Sequence, residues 1–269
     1  MSKFPLTHSE LMKQAPALFT EQPHNDVSDK YHFIPTIDVI NEIKKNNWYP
    51  VSVSEAKVRD EDKEGYQQHL VRFRHFDDLL LPPENAVELL LFNSHDRSKS
   101  FSISAGIYRF VCANGLVIAE SVFESYKIKH LGDRENDVAS AVANITAIKS
   151  KLMEKIETLE SIELSQLEKE SFARSAMPLR FEKHLQVDYQ DLLVPHRDED
   201  SNSDLYTVLN VIQENLLRGN ISGTNKETGR RFTSREITSI SKDVDVNQGL
   251  WDIAERIASI KEPLLALAA

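Results

Sequence analysis

The chain has 269 residues and a formal net charge of −10, enough for one large domain or two small ones with an ample core. No apolar run approaches the roughly 20 residues that span a bilayer. The N-terminus lacks the apolar core of a signal peptide, and a single cysteine, Cys112, excludes an internal disulfide, so a cytoplasmic protein with no membrane partner is expected. The acidic total argues against a generic DNA-coating protein, although a local basic stripe can survive inside it.

Residues 8–19 read as a short amphipathic helix and 20–30 as polar and loose, making 1–30 a partly loose N-terminal segment. Residues 31–34 read as a brief strand. Pro35-Thr36 opens a helix with Thr36 as N-cap, Asp38 in the first turn, and Ile37, Ile40 and Ile43 at helical spacing. Asn46-Asn47 ends it. Trp48-Tyr49-Pro50 leads into a strand with Val51 and Val53 on one face; a shift of phase to Ala56 and Val58 places a bulge near Ser54-Glu55. A polar turn over 60–65 returns the chain through 66–75, where Val71 and Phe73 alternate with Arg72 and Arg74, so the pair is a hairpin. Beyond Pro82-Pro83, residues 87–92 have strand length and 100–111 alternate well enough to pair with them. Asn114-Gly115 signals a tight turn into a return strand over 116–119, and 126–130 adds another short strand.

From about 135 the period becomes helical, with Val138, Val142, Ile145, Ile148, Leu152, Ile156 and Leu159 three or four apart. That seam suits a helical hairpin or coiled-coil arm, and self-association through 135–160 is expected from it. A second helix passes through Leu167 and Phe172. Residues 196–204 read as a charged linker. Helices follow at 204–217, roughly 234–242 and 247–261, around a Gly/Asn/Arg-rich loop at 219–231. The predicted class is α+β: an antiparallel sheet core over 31–133, a long helical arm over 134–195, and C-terminal helices over 205–261 packed on one face.

Three groups of residues are able to do chemistry. Asn93-Ser94-His95-Asp96, with Arg109 and Cys112-Ala113-Asn114, concentrates polar side chains among apolar strands. His95 and Asp96 suggest a metal-dependent hydrolase pair, but they follow a strand in a polar turn and no further ligands are fixed nearby, so no metal is expected. Cys112 is a candidate nucleophile with His95 or His130 as base; set between Val111 and Ala113 it equally reads as a small buried hydrophobe. On the first hairpin, Lys57, Arg59, Arg72 and Arg74 point outward together if Val58, Val71 and Phe73 point inward. Such a ribbon can follow a phosphate backbone, with Trp48 or Tyr49 stacking on bases; a solvated strand face is the plainer alternative. Later, Asn210, Gln213 and Glu214 share one helix face, and Arg230, Arg231 and Arg235 suggest a phosphate clamp at a helix start. With Asn93, Arg109 and Asn114, the first three complete a structural polar signature. No phosphate-binding Gly loop, nucleophile elbow or paired-Cys motif occurs, so no cofactor is expected.

The run Asn-Ser-His-Asp at 93–96, Arg-Phe-Val-Cys-Ala-Asn-Gly-Leu at 109–116 and Leu-Tyr-Thr-Val-Leu-Asn-Val-Ile-Gln-Glu-Asn at 205–215 resembles domain-of-unknown-function family 932. Gly229-Arg230-Arg231 and Asp243-Val244-Asp245-Val246-Asn247 extend the likeness, which spans about 31–260. The resemblance implies a phage- or plasmid-borne bacterial protein and brings no catalytic residues. In layout alone, helix, basic hairpin, strands and long helix are also similar to the core of RecT/Redβ-type single-strand annealing proteins. The leading expectation is a non-enzymatic accessory that binds single-stranded DNA, in annealing or recombination. The alternatives are a nucleotide- or nucleic-acid-processing enzyme using His95 and Asp96, and a protein that inhibits a host defence complex.

Overall fold

The computed structural model describes residues 4–27, 33–58, 60–96, 98, 100–109, 114–117 and 134–268. The chain divides into two compact units, one of residues 1–115 and 120–150, the other of 116–119 and 151–269.

The first unit opens with α1 (His8–Gln14), closed at its start by a capping box in which Thr7 and Glu10 bond each other's backbone. Next come α2 (Thr36–Lys45), β1 (Trp48–Glu55), β2 (His69–His75), α3 (Phe76–Leu80), β3 (Asn85–Asn93), β4 (Ser102–Arg109) and β5 (Asn114–Val117). Among the described residues the strands form one sheet in the order β1-β2-β3-β4-β5, with β1 to β4 antiparallel in sequence. Register follows the alternation of side chains. Phe73 lies opposite Leu89, Val71 opposite Leu91, and Leu89 opposite Ala105, which makes the middle of one face apolar, while Leu70, Leu90 and Phe92 are buried on the other. Trp48 shares the face of Phe73 and is fully buried; its indole N–H donates to Thr146 Oγ1 (3.2 Å). This bond places the first half of α4 (Arg134–Glu160) on the apolar face, where Val138, Ala141, Val142 and Ile145 are buried. Lys149 adds an ion pair to Asp78 of α3 at 2.7 Å.

The opposite face carries ions. Arg72 and Arg74 of β2 both bond Glu88 of β3, each at 2.9 Å, and Arg74 lies 3.8 Å from the ring centre of Tyr108 on β4. All three ionic side chains are at most 5 % exposed. The expected outward ribbon is therefore corrected at Arg72 and Arg74: Glu88, the carboxylate of β3, draws both arginines into the sheet.

The second unit contains the rest of α4, then α5 (Gln166–Ala176), β6 (Leu185–Val187), α6 (Leu205–Arg218), β7 (Ser222–Asn225), β8 (Arg231–Thr233) and α7 (Ile240–Ala268). α6 starts at an Asp204 cap and is buried from Leu205 to Leu216, so it is the central element of this unit. α7 presents Val244, Leu250, Trp251, Ala254 and Ala258 as its buried seam.

Several local expectations change. Phe33 and Ile34 are not in a strand, and residues 31 and 32 lie outside the described residues, as do 126–130. Thr36 is the first helical residue rather than the N-cap, and its hydroxyl bonds side chains of the sheet instead of the helix backbone. The irregularity in β1 falls between Pro50 and Ser52, because proline has no N–H for the ladder. Asn114-Gly115 lies within β5, not in a turn. The 219–231 loop contains β7 and the turn into β8, antiparallel with β6 at the β7 edge. The two C-terminal helices are one, α7, because buried Asn247 breaks the apolar pattern without breaking the helix. Among the described side chains of the α4 seam, Val138, Val142, Ile145, Leu152, Ile156 and Leu159 are buried within the chain itself, so they are not a free surface for self-association.

Replacing Glu88 by Gln leaves two buried guanidinium groups without their carboxylate. A loss of about 3 kcal/mol in urea-unfolding stability is expected. Combining Glu88→Leu with Arg72→Met and Arg74→Met should recover most of it.

Candidate functional site

The His95 region is a closed polar cluster at the start of α2. Asn93 and His69 are paired across β3 and β2, which puts both on the face that meets Thr36. Thr36 Oγ1 lies 2.8 Å from His69 Nε2 and 3.4 Å from His95 Nε2, and it accepts from Asn93 Nδ2 at 3.0 Å. His69 Nδ1 faces the Gln67 carbonyl at 3.0 Å and must donate there, so Nε2 accepts the threonine proton. The two imidazole rings stand 5.2 Å apart, with Phe33 4.8 Å from His95. Burial pushes His69 down to about 3 and His95 down to about 4, with the neighbouring His95 also acting on His69. Both rings are neutral near pH 7, and both are fully buried.

His95 and Asp96 thus diverge. Asp96 is half-buried and its carboxylate accepts from Ser98 N at 2.9 Å, as turn residues do. Arg109 is buried 3.9 Å from Glu84. Cys112 and the side chain of Asn114 lie outside the described residues. His69 was missed by sequence reasoning; its signal was a histidine at an inward position of β2. Among the described residues no group of three His, Cys, Asp or Glu could hold a metal.

The polar row on α6 is also internal. Glu214 binds Arg197 through two bonds of 2.7 and 2.8 Å and Arg218 at 2.7 Å; Arg197 also reaches Asp200 at 2.8 Å. Asn215 donates to the carbonyls of Leu192 and Val194 and faces His196 at 2.8 Å. Gln213 bonds Asn247, which donates to Asp243, and Asn210 donates to Tyr206 O. A helix buried all round must satisfy its polar groups within the protein. Residues 196–204, expected as a linker, are held by these bonds.

Of the remaining cations, Lys57 is exposed and Arg59 lies outside the described residues. Trp48 is buried and cannot stack on a base, and half-buried Tyr49 sits 6.0 Å from Phe76. Arg230, Arg231 and Arg235 are exposed, but they precede α7 by several residues and form no clamp at a helix start. Arg230 and Arg231 belong instead to the β7–β8 hairpin. Its turn is set by Asn225, whose side chain accepts from Glu227 N and Thr228 N, and by Gly229 at φ 66°. Its base is closed by Gly219, where a Cβ would stand 2.7 Å from Arg235 O, and by Arg180, which donates to the carbonyls of Leu217 and Arg235. Register puts Gln186, Ser222, Thr224, Arg231 and Thr233 on one face, and Val187, Gly223 and Phe232 on the other. A shallow cup of about 480 Å³ lies against the hairpin, lined by Ser222, Gly223, Thr224, Arg231, Phe232 and Thr233.

Residues 23–251 match the family described as Domain of unknown function (DUF932). The chain is 33 % identical over 254 residues to the UPF0380 protein YafZ of Escherichia coli (strain K12), covering 94 % of this chain and 92 % of that protein. The UPF0380 protein YfjQ of the same strain matches with the same identity and coverage. No solved structure matches. No helix of the described residues is long and apolar enough to cross a membrane.

The histidine pair gives a pH dependence with a definite sign. Both rings have folded values below their ordinary 6.5, so unfolding takes up protons below that pH. Stability is full above pH 6.5 and falls as pH drops toward 4. Between pH 7 and 5 the loss should be about 2 kcal/mol per imidazole. Urea unfolding across this range checks it, and His69→Asn should flatten the slope.

Proposed function

We propose that this member of the DUF932 family is a non-enzymatic nucleic-acid-binding accessory that holds phosphates on its β6–β7–β8 sheet. The observation carrying this reading is the hairpin's exposed polar face. Gln186, Ser222, Arg231 and Thr233 are open to solvent, and Arg230 and Lys226 stand exposed at its turn. Among the described residues, no carboxylate makes an ion pair with either arginine, in contrast to the neutralised Arg72, Arg74 and Arg197. Hydroxyls, amides and guanidinium groups are the donors that phosphate oxygens take.

An annealing role needs, in addition, a surface for self-association. The α4 seam expected to provide one is buried in the chain, so the proposal is limited to binding. The enzyme reading has no comparable support, since His95 is fully buried and its Nε2 faces the same threonine hydroxyl as His69.

Fluorescence anisotropy with labelled single-stranded DNA over a salt series tests the proposal. Affinity should fall with rising salt, and Arg230→Glu with Arg231→Glu should weaken binding roughly tenfold or more. Losing two phosphate contacts should lower the log–log salt slope by about 1.4. Absence of binding at low ionic strength, or unchanged binding by the double variant, sinks the idea.

A further inference from the structure

We infer that the β6–β7–β8 sheet reads the sugar–phosphate backbone alone, so that single strands are not favoured over duplexes and no base sequence is preferred. The inference rests on the nucleic-acid reading above and specifies the ligand for the same face.

Binding that favours single strands requires unstacked bases to find flat apolar partners, usually aromatic rings. The cationic face of this sheet carries none among its own side chains, and the half-buried Phe232 reaches the shared cup only from the other face. The side chains of the cationic face are an amide, hydroxyls and a guanidinium, from Gln186, Ser222, Thr224, Thr233 and Arg231. The aromatic ring of the hairpin, Phe232, is sent to the opposite face by the period of the strand. There it lies across Gly223: a Cβ at that glycine would fall 2.7 Å from the ring carbons and 2.6 Å from Gln186 O. One side of the ring is thus held against a bare stretch of backbone, and glycine is needed to admit it.

The spacing of the donors fits a charged ribbon. Ser222 and Thr224 are two residues apart on one strand, an advance of about 6.8 Å. Thr233 and Arg231 stand opposite them in register. A patch this short spans two or three phosphates. Contacts of that kind position a nucleic acid without reading its sequence.

Anisotropy competition among an oligo-dT, an oligo-dA and a mixed-sequence duplex of equal length tests the inference, on the wild-type chain and on Phe232→Leu, which retains an apolar cover over Gly223. The expected result is homopolymer affinities within about threefold of each other, a duplex bound at least as tightly, and no change with Phe232→Leu. A single strand preferred more than fivefold over the duplex, a similar gap between dT and dA, or a comparable loss in Phe232→Leu overturns the backbone-only inference and leaves the nucleic-acid reading standing. Absence of binding to any of the three ligands overturns both.

Discussion

The first unit depends on the disposal of one carboxylate. Glu88 sits in the middle strand region of the sheet, completely removed from water. An unpaired charge there would cost several kcal/mol. Arg72 and Arg74, two residues apart on the neighbouring strand, approach its two oxygens from either side. This arrangement selects the register of β2 against β3, because a slip of one residue would carry both guanidinium groups to the other face and strand the carboxylate. With the ions fixed on one face, the other is free to be apolar, and Trp48, Phe73 and Leu89 can receive the first half of α4. Tyr108 adds a ring beneath Arg74, so the guanidinium is held by both its edge and its plane.

The second unit solves a related problem with a helix. α6 is enclosed on all sides, yet it carries Asn210, Gln213, Glu214 and Asn215. Three of these side chains tie down a neighbouring piece of chain, while Asn210 bonds Tyr206 O of its own helix. Glu214 gathers Arg197, Asn215 holds the carbonyls of residues 192 and 194, and Gln213 reaches Asn247 of α7. Hydrogen bonds to charged groups contribute more than neutral ones, and here they immobilise a charged segment that composition alone marks as loose. The order extends outward to the hairpin, since Arg180 binds the carbonyl at the end of α6 and the carbonyl of Arg235 together.

What the sequence made legible was periodicity; what it concealed was destination. The alternation of Val71 and Phe73 with Arg72 and Arg74 gives strand β2 and its two faces. Whether the arginine face meets water depends on Glu88, placed opposite by a fold that the local pattern does not contain. The helical seam of α4 was equally legible, and its burial against its own chain was not. Thr36 has the chemistry of an N-cap, but a partner with a stronger claim, His69 on β2, takes its hydroxyl. β7 and β8 escaped because they are short and polar, and because Asn225 and Gly229 mark a turn without announcing strands beside it. The family resemblance held over nearly the whole chain, resting on segments such as 205–215 whose role is to satisfy a buried helix.

Net charge and local charge also separate once burial is known. The chain totals −10, and the arginines that looked most available are neutralised inside the protein. At physiological salt a charge acts over about 8 Å, so a phosphate approaching the hairpin responds to Lys226, Arg230 and Arg231, offset nearby by Glu227, more than to the distant acidic surface. Lowering the salt lengthens that reach and admits the repulsion of the whole chain alongside the attraction of the hairpin. The acidity that argues against indiscriminate coating of nucleic acid is compatible with the small site proposed at the tip of the hairpin, whose cations make no ion pair among the described residues.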